Sequence, residues 1–299
     1  MSRLTLLCLV IIASGLLAAC GQEAPPPAAA SPLVPVLAVS ELAPGPNRIA
    51  LGVLQAGTPL NDPELRIPMR LFYLADGANA APAAEGVAVY RGEGLPFGLY
   101  VGYANFDRSG AWGLELSLPQ DDGTTTTSRI RLDVLPEPRV PQVGSPAIPS
   151  QNLTVRDNPD LSQITSDATP DPDLYQLTVA DALAANKPFL VAFSTPGYCQ
   201  TAVCAPNQMV LKRLKDQYQD QVNFIHVEFY EYPFGESFLA QRRVPAIAEW
   251  RLVTEPWTFL VDANGIIQAR YEGGITLSEL ESALADLAAG NPIRLGPTP

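Results

Sequence analysis

Tyr198-Cys199-Gln200-Thr201-Ala202-Val203-Cys204-Ala205-Pro206 is the stretch of this sequence with the clearest structural meaning, because it holds two closely spaced cysteines. It follows a continuous apolar run at 189–193 and precedes a segment with helical spacing of apolar residues at 207–218. A short continuous apolar run is typical of a strand buried on both faces of a mostly parallel sheet. The sequence therefore predicts a strand, a loop that carries the cysteine pair, and a helix.

The residues on either side extend this pattern into an α/β domain at 176–290. Before the apolar run, Thr178 can cap a short helix at 179–185. Near the end of the domain, Thr276 can cap a closing helix that runs to residue 287, with Glu279 placed to complete a capping box. The elements in between are a strand at 222–229, a partly helical segment at 236–251, and a hairpin of strands at 257–262 and 266–271.

This order of elements resembles the thioredoxin fold, and the resemblance covers about residues 176–290. In that family an aromatic residue precedes the first redox cysteine, as Tyr198 precedes Cys199, and a cis-proline precedes the hairpin strand, where this chain has Pro256. The resemblance implies a catalytic site with Cys199 as the attacking thiolate, Cys204 as the resolving thiol and Pro256 beside them. The spacing departs from the family pattern, because four residues separate the cysteines here instead of two.

This spacing constrains where the helix begins. Residues five apart on a regular helix have Cα atoms about 8–9 Å apart, whereas a disulfide allows roughly 7 Å. A bond between Cys199 and Cys204 therefore requires Cys199 in the loop and a helix that starts near Cys204 or Pro206. A competing alignment treats Cys204-Ala205-Pro206-Asn207 as a family motif that has lost its second cysteine, which would leave Cys199 unpaired.

The N-terminus has the pattern of an export signal, with Arg3 near the start and an uncharged apolar run at 4–19. Leu17-Ala18-Ala19-Cys20 resembles the bacterial lipobox, which implies that residues 1–20 are a lipoprotein signal and that Cys20 is lipidated. The alternatives are an ordinary signal peptide with a chance cysteine, or an uncleaved anchor. We expect the protein to be exported and lipid-anchored at the cell membrane, facing outside the cytoplasm.

The export prediction also bears on the cysteines. Cys8 would leave with the signal and Cys20 would carry lipid, so that only Cys199 and Cys204 remain of the four cysteines. An exported compartment is usually oxidising, and we therefore expect these two residues to form a disulfide at least part of the time.

The remaining sequence divides into one folded segment and its connections. Residues 21–45 are rich in Pro and Ala and are typical of a tether, residues 137–175 form a Pro-rich linker, and residues 291–299 are a C-terminal tail. Between tether and linker, residues 46–136 contain short β-type runs that predict an all-β, immunoglobulin-like sandwich with Trp112 in its core. These runs lie at 48–54, 69–74, 86–90, 99–106, 112–118 and 129–134. The predicted fold class is thus two domains, the sandwich followed by the α/β thioredoxin-like domain.

Composition disfavours several classes of partner. A formal net charge of −12, with 19 Lys and Arg, leaves no basic footprint for nucleic acid. Two thiolates and the single histidine, His226, fall short of the four ligands of a zinc site, and we expect no metal or cofactor. Alternation places His226 and Glu228 on one face of their strand, and that face could approach the cysteine loop; a lone histidine in a strand is more often structural.

Three functions are consistent with these residues. The first is thiol–disulfide exchange with other exported proteins or redox partners through Cys199 and Cys204. The second is a binding or interaction lipoprotein in which the disulfide only closes a loop. The third is copper delivery of the Sco type, for which the cysteine spacing and the mid-strand position of His226 are atypical.

Overall fold

The computed structural model describes residues 32–77, 79–120, 122–235 and 240–294. The predicted lipoprotein signal at 1–20, with Cys20, and residues 21–31 of the predicted tether lie outside the described residues. The described residues belong to one compact unit that contains an all-β domain followed by an α/β domain. No helix in the described part of the chain is long and apolar enough to cross a membrane.

The β-domain is a single antiparallel sheet that curls upon itself. Its strands are β1 (Leu33–Leu37), β2 (Gly45–Gln55), β3 (Thr58–Pro59), β4 (Arg66–Tyr73), β5 (Ala84–Tyr90), β6 (Tyr100–Phe106), β7 (Gly110–Pro119) and β8 (Thr125–Val134). They hydrogen-bond in the order β1-β2-β6-β5-β4-β7-β8, with β3 on β2. Leu42, just after β1, forms a bridge with Val134 in β8, which brings the two ends of the sheet together in a barrel-like closure.

The core of this domain is built by alternation along the strands. In β4, Ile67, Met69 and Leu71 are buried while the residues between them are exposed. Trp112 is 1% exposed, with Tyr73 and Phe106 at ring-centroid distances of 5.4 and 5.1 Å. The predicted all-β domain is confirmed, and Trp112 is a core residue as expected.

The structure differs from the sequence prediction at the start of this domain. β1 lies inside the segment 21–45 that we expected to be a tether, and it pairs antiparallel with β2 from Leu33 to Leu37. Leu42 and Ala43, farther along the same segment, are buried. The reason is that Leu33-Val34-Pro35-Val36-Leu37 is apolar throughout and lies at the edge of the sheet, where a strand tolerates a proline.

The α/β domain contains a four-stranded sheet between two apolar layers. Its elements are α1 (Val179–Ala184), β9 (Phe189–Ser194), α2 (Cys204–Tyr218), β10 (Asn223–Glu228), α3 (Pro245–Glu249), β11 (Trp257–Val261), β12 (Ile267–Glu272) and α4 (Leu277–Ala288). The sheet order is β10-β9-β11-β12; β10 is parallel to β9, and β11 is antiparallel to β9 and to β12. Every residue of β9 is buried, as its apolar sequence predicted.

The Pro-rich segment 137–175 also differs from the expectation of a linker, because much of it packs onto the α/β domain. Ile164, Leu174 and Tyr175 join the core cluster that contains Leu190 of β9. Short 3-10 turns form at Leu161–Gln163 and Pro172–Tyr175. The prolines in this segment are interrupted by apolar side chains, and burial of those side chains outweighs the extended preference of the prolines.

Two helix predictions need correction. Of the segment 236–251, only Pro245–Glu249 is helical, and residues 236–239 lie outside the described residues. Thr276 does precede α4, but its side chain makes no capping hydrogen bond. The carboxylate of Glu279 instead binds Arg48 of the β-domain, a tertiary contact that competes with the predicted capping box.

Candidate functional site

The cysteine loop connects the end of β9 to the start of α2. Cys199 lies in the loop and Cys204 is the first residue of α2, which is the arrangement that a disulfide between them requires. Their Cα atoms are 5.9 Å apart in the disulfide. Pro206 falls in the first helical turn, where its missing N–H costs no hydrogen bond. The competing alignment, with Cys199 unpaired, does not describe this structure.

The two sulfur-bearing residues differ in accessibility. Cys204 is fully buried, whereas Cys199 is partly exposed. The hydroxyl of Thr201 donates a hydrogen bond to Cys199 Sγ over 3.1 Å. Next to the pair, Tyr198 is 53% exposed. A partner molecule would therefore reach the sulfur of Cys199 first.

Ser166 binds the start of the cysteine loop through its side-chain hydroxyl. The backbone N–H of Gly197 donates to Ser166 Oγ over 3.0 Å, and Ser166 Oγ lies 3.3 Å from Thr195 Oγ1. A Cβ atom at Gly197 would lie 2.5 Å from the carbonyl oxygen of Ser166, so the close approach requires glycine. Ser166 belongs to the segment that we expected to be a linker, and it is therefore part of the site.

Sheet register brings three strand ends to the cysteine loop. Glu228 at the end of β10 pairs with Ser194 at the end of β9, and Trp257 at the start of β11 pairs with Phe193. Pro256, directly before β11, therefore lies at the same edge of the sheet as Ser194, where the loop begins. The Glu255–Pro256 bond is cis, as the resemblance implied.

Glu228 is buried at this edge with only one of its carboxylate oxygens satisfied. Oε2 accepts hydrogen bonds from Ser166 N–H (2.7 Å), Ser166 Oγ (3.0 Å) and Thr165 Oγ1 (3.2 Å). Oε1 has no hydrogen-bond partner among the described residues. Burial raises the pKa of Glu228 to about 7, although these hydrogen bonds oppose the shift.

Glu255 adds a second buried carboxyl group directly before Pro256. Its Oε2 is buried and has no hydrogen-bond partner within the described ranges. Burial, and then the negative charge of Glu228, raise the pKa of Glu255 to about 8. Two carboxyl groups with raised pKa values, one at the end of β10 and one just before β11, thus lie at the sheet edge where the cysteine loop begins.

His226 has a structural environment. Its ring nitrogens lie 2.9 Å from Tyr175 Oη and 2.9 Å from Ser194 Oγ, and the residue is 1% exposed. Burial lowers the pKa of His226 to about 4, so the ring is neutral at pH 7. Its hydrogen bonds connect β10 to β9 and to the segment at 172–175. Among the described residues, no group of His, Cys, Asp and Glu side chains is arranged to hold a metal ion.

The sequence predicted a site of Cys199, Cys204 and Pro256 that the strand face with Glu228 could approach. The structure places Pro256 and Glu228 at the sheet edge where the cysteine loop begins. The sequence prediction missed Ser166 and Glu255. The sequence position of Glu255 could have indicated its role, because it directly precedes Pro256. The sequence around Ser166 gave no such indication, since only the tertiary packing of its segment brings it to the loop.

Comparison with known proteins agrees with this geometry. Residues 175–288 match the model of a thioredoxin-like domain family. The chain has no significant match among curated proteins or among solved structures. The C-terminal domain is therefore thioredoxin-like, and its disulfide fits thiol–disulfide chemistry.

Proposed function

We propose that this protein is a membrane-anchored thiol–disulfide exchange protein that acts outside the cytoplasm through Cys199 and Cys204. The observation that supports it best is the asymmetry of the cysteine pair. Cys199 is accessible, whereas Cys204 is buried at the N-terminus of α2, where free backbone N–H groups and the helix dipole favour a thiolate.

The exchange runs through a mixed disulfide. A thiolate of the partner attacks Cys199 Sγ, a new intermolecular S–S bond forms, the Cys199–Cys204 bond breaks, and Cys204 leaves as the thiolate. A second partner thiolate then attacks the partner sulfur of the mixed disulfide and releases Cys199. The partner loses two electrons and two protons, which reduce the cysteine pair to two thiols; the reverse sequence reduces a partner disulfide.

The reduction potential of the full-length protein in detergent tests this proposal. The protein is equilibrated across a glutathione series, trapped with an alkylating reagent, and the peptide with Cys199 and Cys204 is quantified by mass spectrometry. A value between about −120 and −270 mV is expected for a working exchange protein. A value below about −300 mV, or alkylation only after denaturation, would instead support the second function, a binding lipoprotein whose disulfide is structural.

Substitution of the accessible cysteine separates the two functions further. Cys199→Ser should abolish reduction or isomerisation of a disulfide-bonded test protein, because Cys204, the other cysteine of the pair, is buried. A Cys199→Ser protein that keeps full activity would contradict the exchange function. Tyr198→Phe provides a matched control in the same loop, since it keeps the aromatic ring and both sulfurs.

The membrane anchor is a separate part of the proposal, supported by the sequence around Cys20. Cys20→Ser should move the protein from the membrane fraction to the soluble fraction, and mass spectrometry of the N-terminal peptide should detect the lipid on the unsubstituted chain. A Cys20→Ser protein that stays fully membrane-bound would show that another element provides the anchor.

A further inference from the structure

The β-domain is fixed against the thioredoxin-like domain by a buried ion pair. Arg48 of β2 donates two hydrogen bonds to the carboxylate of Glu279 in α4, over 2.6 and 2.8 Å. It also donates to the carbonyl oxygens of Glu272 and Gly274, each over 2.9 Å. Tyr103 donates to the same carboxylate over 2.6 Å. Arg48 and Tyr103 thus make five hydrogen bonds from the β-domain to the thioredoxin-like domain, so the two domains present a preformed surface to partners.

That surface contains an apolar groove where the β5–β6 loop of the β-domain meets α2 and α4. The groove has a volume of about 340 Å³. Its apolar lining comes from both domains and consists of Leu95, Pro206, Met209, Val210, Ile275 and Leu277. Glu93 and Arg213 are the charged side chains among the described lining residues, and their opposite charges give the groove no net charge.

The groove lies beside the disulfide. Pro206 is in the same helical turn as Cys204. Leu95 Cδ1 and Val203 Cγ1 lie 2.7 and 3.5 Å from the point that a Cβ atom of Gly274 would occupy. The β-domain thus approaches, through Leu95, the residue directly before Cys204, and Gly274 leaves the space in which these two side chains come near each other.

The groove also has exposed apolar surface to bury. Met209 is 63% exposed, although it directly follows the buried residues Asn207 and Gln208 of α2. A methionine side chain is unbranched and polarisable, and it adapts to ligands of varied shape. Exposed apolar surface in a groove next to a reactive disulfide is typical of a site that binds part of the reacting partner.

We propose that this groove binds an apolar peptide segment next to the reactive cysteine of a protein partner, so that the β-domain helps to select substrates. The proposal rests on the proposed thiol–disulfide exchange function. A protein partner that reacts at Cys199 is brought next to the groove by that reaction. A second copy of this acidic chain, with a net charge of −12, would instead be repelled.

The test compares two disulfide-bonded peptides with the full-length protein in detergent. One peptide carries Leu, Val and Phe beside its cysteine, and the other carries Ser and Asn at the same positions. The readout is the ratio of kcat/KM for the apolar peptide to that for the polar peptide. Met209→Glu and, separately, Leu95→Ala should each lower this ratio about tenfold, because each removes apolar contact area.

Leu74→Ser is the matched control, since Leu74 is a 45% exposed β-domain leucine that does not line the groove. It should leave the ratio unchanged. A ratio that is unchanged in Met209→Glu and Leu95→Ala would overturn the proposal, and so would an equal fall in the Leu74→Ser protein.

A binding measurement keeps the proposal testable if exchange itself fails. A fluorescent, cysteine-free version of the apolar peptide is titrated with the unsubstituted protein and followed by anisotropy. Saturable binding that weakens about tenfold in Met209→Glu would support peptide binding in the groove. If neither peptide is reduced in the exchange assay, that failure would reject only the exchange function. Absence of binding to the unsubstituted protein, or sedimentation showing a dimer that Met209→Glu dissociates, would overturn the proposal.

Discussion

Glu115 and Glu228 are both buried glutamates, but their surroundings contrast sharply. In the β-domain, Glu115 is bound on both carboxylate oxygens, by Arg70 at 2.9 Å and by Arg129 at 2.7 Å. In the thioredoxin-like domain, Glu228 has hydroxyl and amide donors on one oxygen and no partner among the described residues on the other. The carboxylate of Glu115 has a cationic partner on each oxygen, whereas the carboxylate of Glu228 has no cationic partner among the described residues.

The contrast extends to the whole of the two domains. Among the described residues, buried side-chain atoms without a hydrogen-bond partner occur in Asp167, Gln208, Glu228 and Glu255, all of which belong to the C-terminal half. Of these, Asp167 has an ionic partner, Lys212, at 2.7 Å. Uncompensated buried polar groups cost free energy and are rare in folded proteins. Glu228 and Glu255 lie at the sheet edge where the cysteine loop begins, so the uncompensated carboxyl groups are in the thioredoxin-like domain, which also contains the disulfide.

The largest expected effect comes from breaking the compensated ion pair between the domains. Arg48→Ala leaves the buried carboxylate of Glu279 without its cation, and we expect a loss of about 3–5 kcal/mol in the free energy of unfolding. Chemical denaturation at pH 7, followed by circular dichroism, measures it.

An exposed pair in the β-domain provides the control for this substitution. Arg131 and Asp133 are bridged at 2.9 Å, and their side chains are 63% and 71% exposed. Arg131→Ala should change the free energy of unfolding by no more than about 1 kcal/mol. Equal losses in the two variants would show that the Arg48 pair contributes nothing special to the interface.

The second effect concerns the uncompensated carboxyl group. Since the pKa of Glu228 is about 7 in the folded protein and near its ordinary value in the unfolded chain, the folded state binds more protons between these values. This residue alone should therefore lower the stability of the unsubstituted protein as pH rises from about 4.5 through 7, by about 3 kcal/mol at pH 8. Glu228→Gln should remove that part of the decline, as measured by denaturation at several pH values.

Glu255 extends the loss of stability to higher pH, because its pKa is raised to about 8. In Glu255→Gln the remaining loss of stability should be complete near pH 7 instead of pH 8. A pH profile that is identical in the unsubstituted, Glu228→Gln and Glu255→Gln proteins would mean that neither carboxyl group holds a proton at neutral pH.

An effect of opposite sign is expected from His226. Its pKa is lowered to about 4 by burial, so the unfolded chain binds the proton first as pH falls below 6.5. Stability should fall by about 2 kcal/mol between pH 7 and pH 5 from this residue alone. Because the chain has one histidine, a proton NMR titration of its ring reports the pKa without assignment. A titration midpoint near 6.5 would contradict the burial of the ring.

The smallest effect is expected at the compensated glutamate. Glu115→Gln keeps the shape of the side chain, and Arg129, which is 79% exposed, returns to solvent when the charge is removed. We expect a loss of about 1 kcal/mol or less in the free energy of unfolding at pH 7. A change as large as that of Glu228→Gln would remove the contrast between the domains.

Much of the element order could be predicted from the sequence, because it depends on local patterns. The continuous apolar run of β9 predicted burial on both faces, and Thr178 predicted the N-cap of α1, where the structure shows a capping box with Asp181. The same rule failed at Thr276 and Glu279, since the motif is local but the carboxylate binds Arg48, which is 231 residues away in the chain.

Segments that are rich in proline were the main source of error. Residues 33–37 and 137–175 were expected to be extended connections, yet they contribute a strand and buried apolar residues. Composition describes what a segment prefers in isolation, whereas the free energy of burial depends on the surface that the rest of the fold offers to it.

The sequence by itself determined the two domain types, the position of Cys199 in a loop and of Cys204 at a helix start, and the proline before β11. Only the tertiary structure decided that Ser166 hydrogen-bonds to both Glu228 and the cysteine loop, and that Leu95 of the β-domain approaches Val203. The physical reason is that periodicity and spacing specify which face of an element is apolar. The neighbours of a buried side chain depend instead on strand order and register, which arise when distant segments pack together.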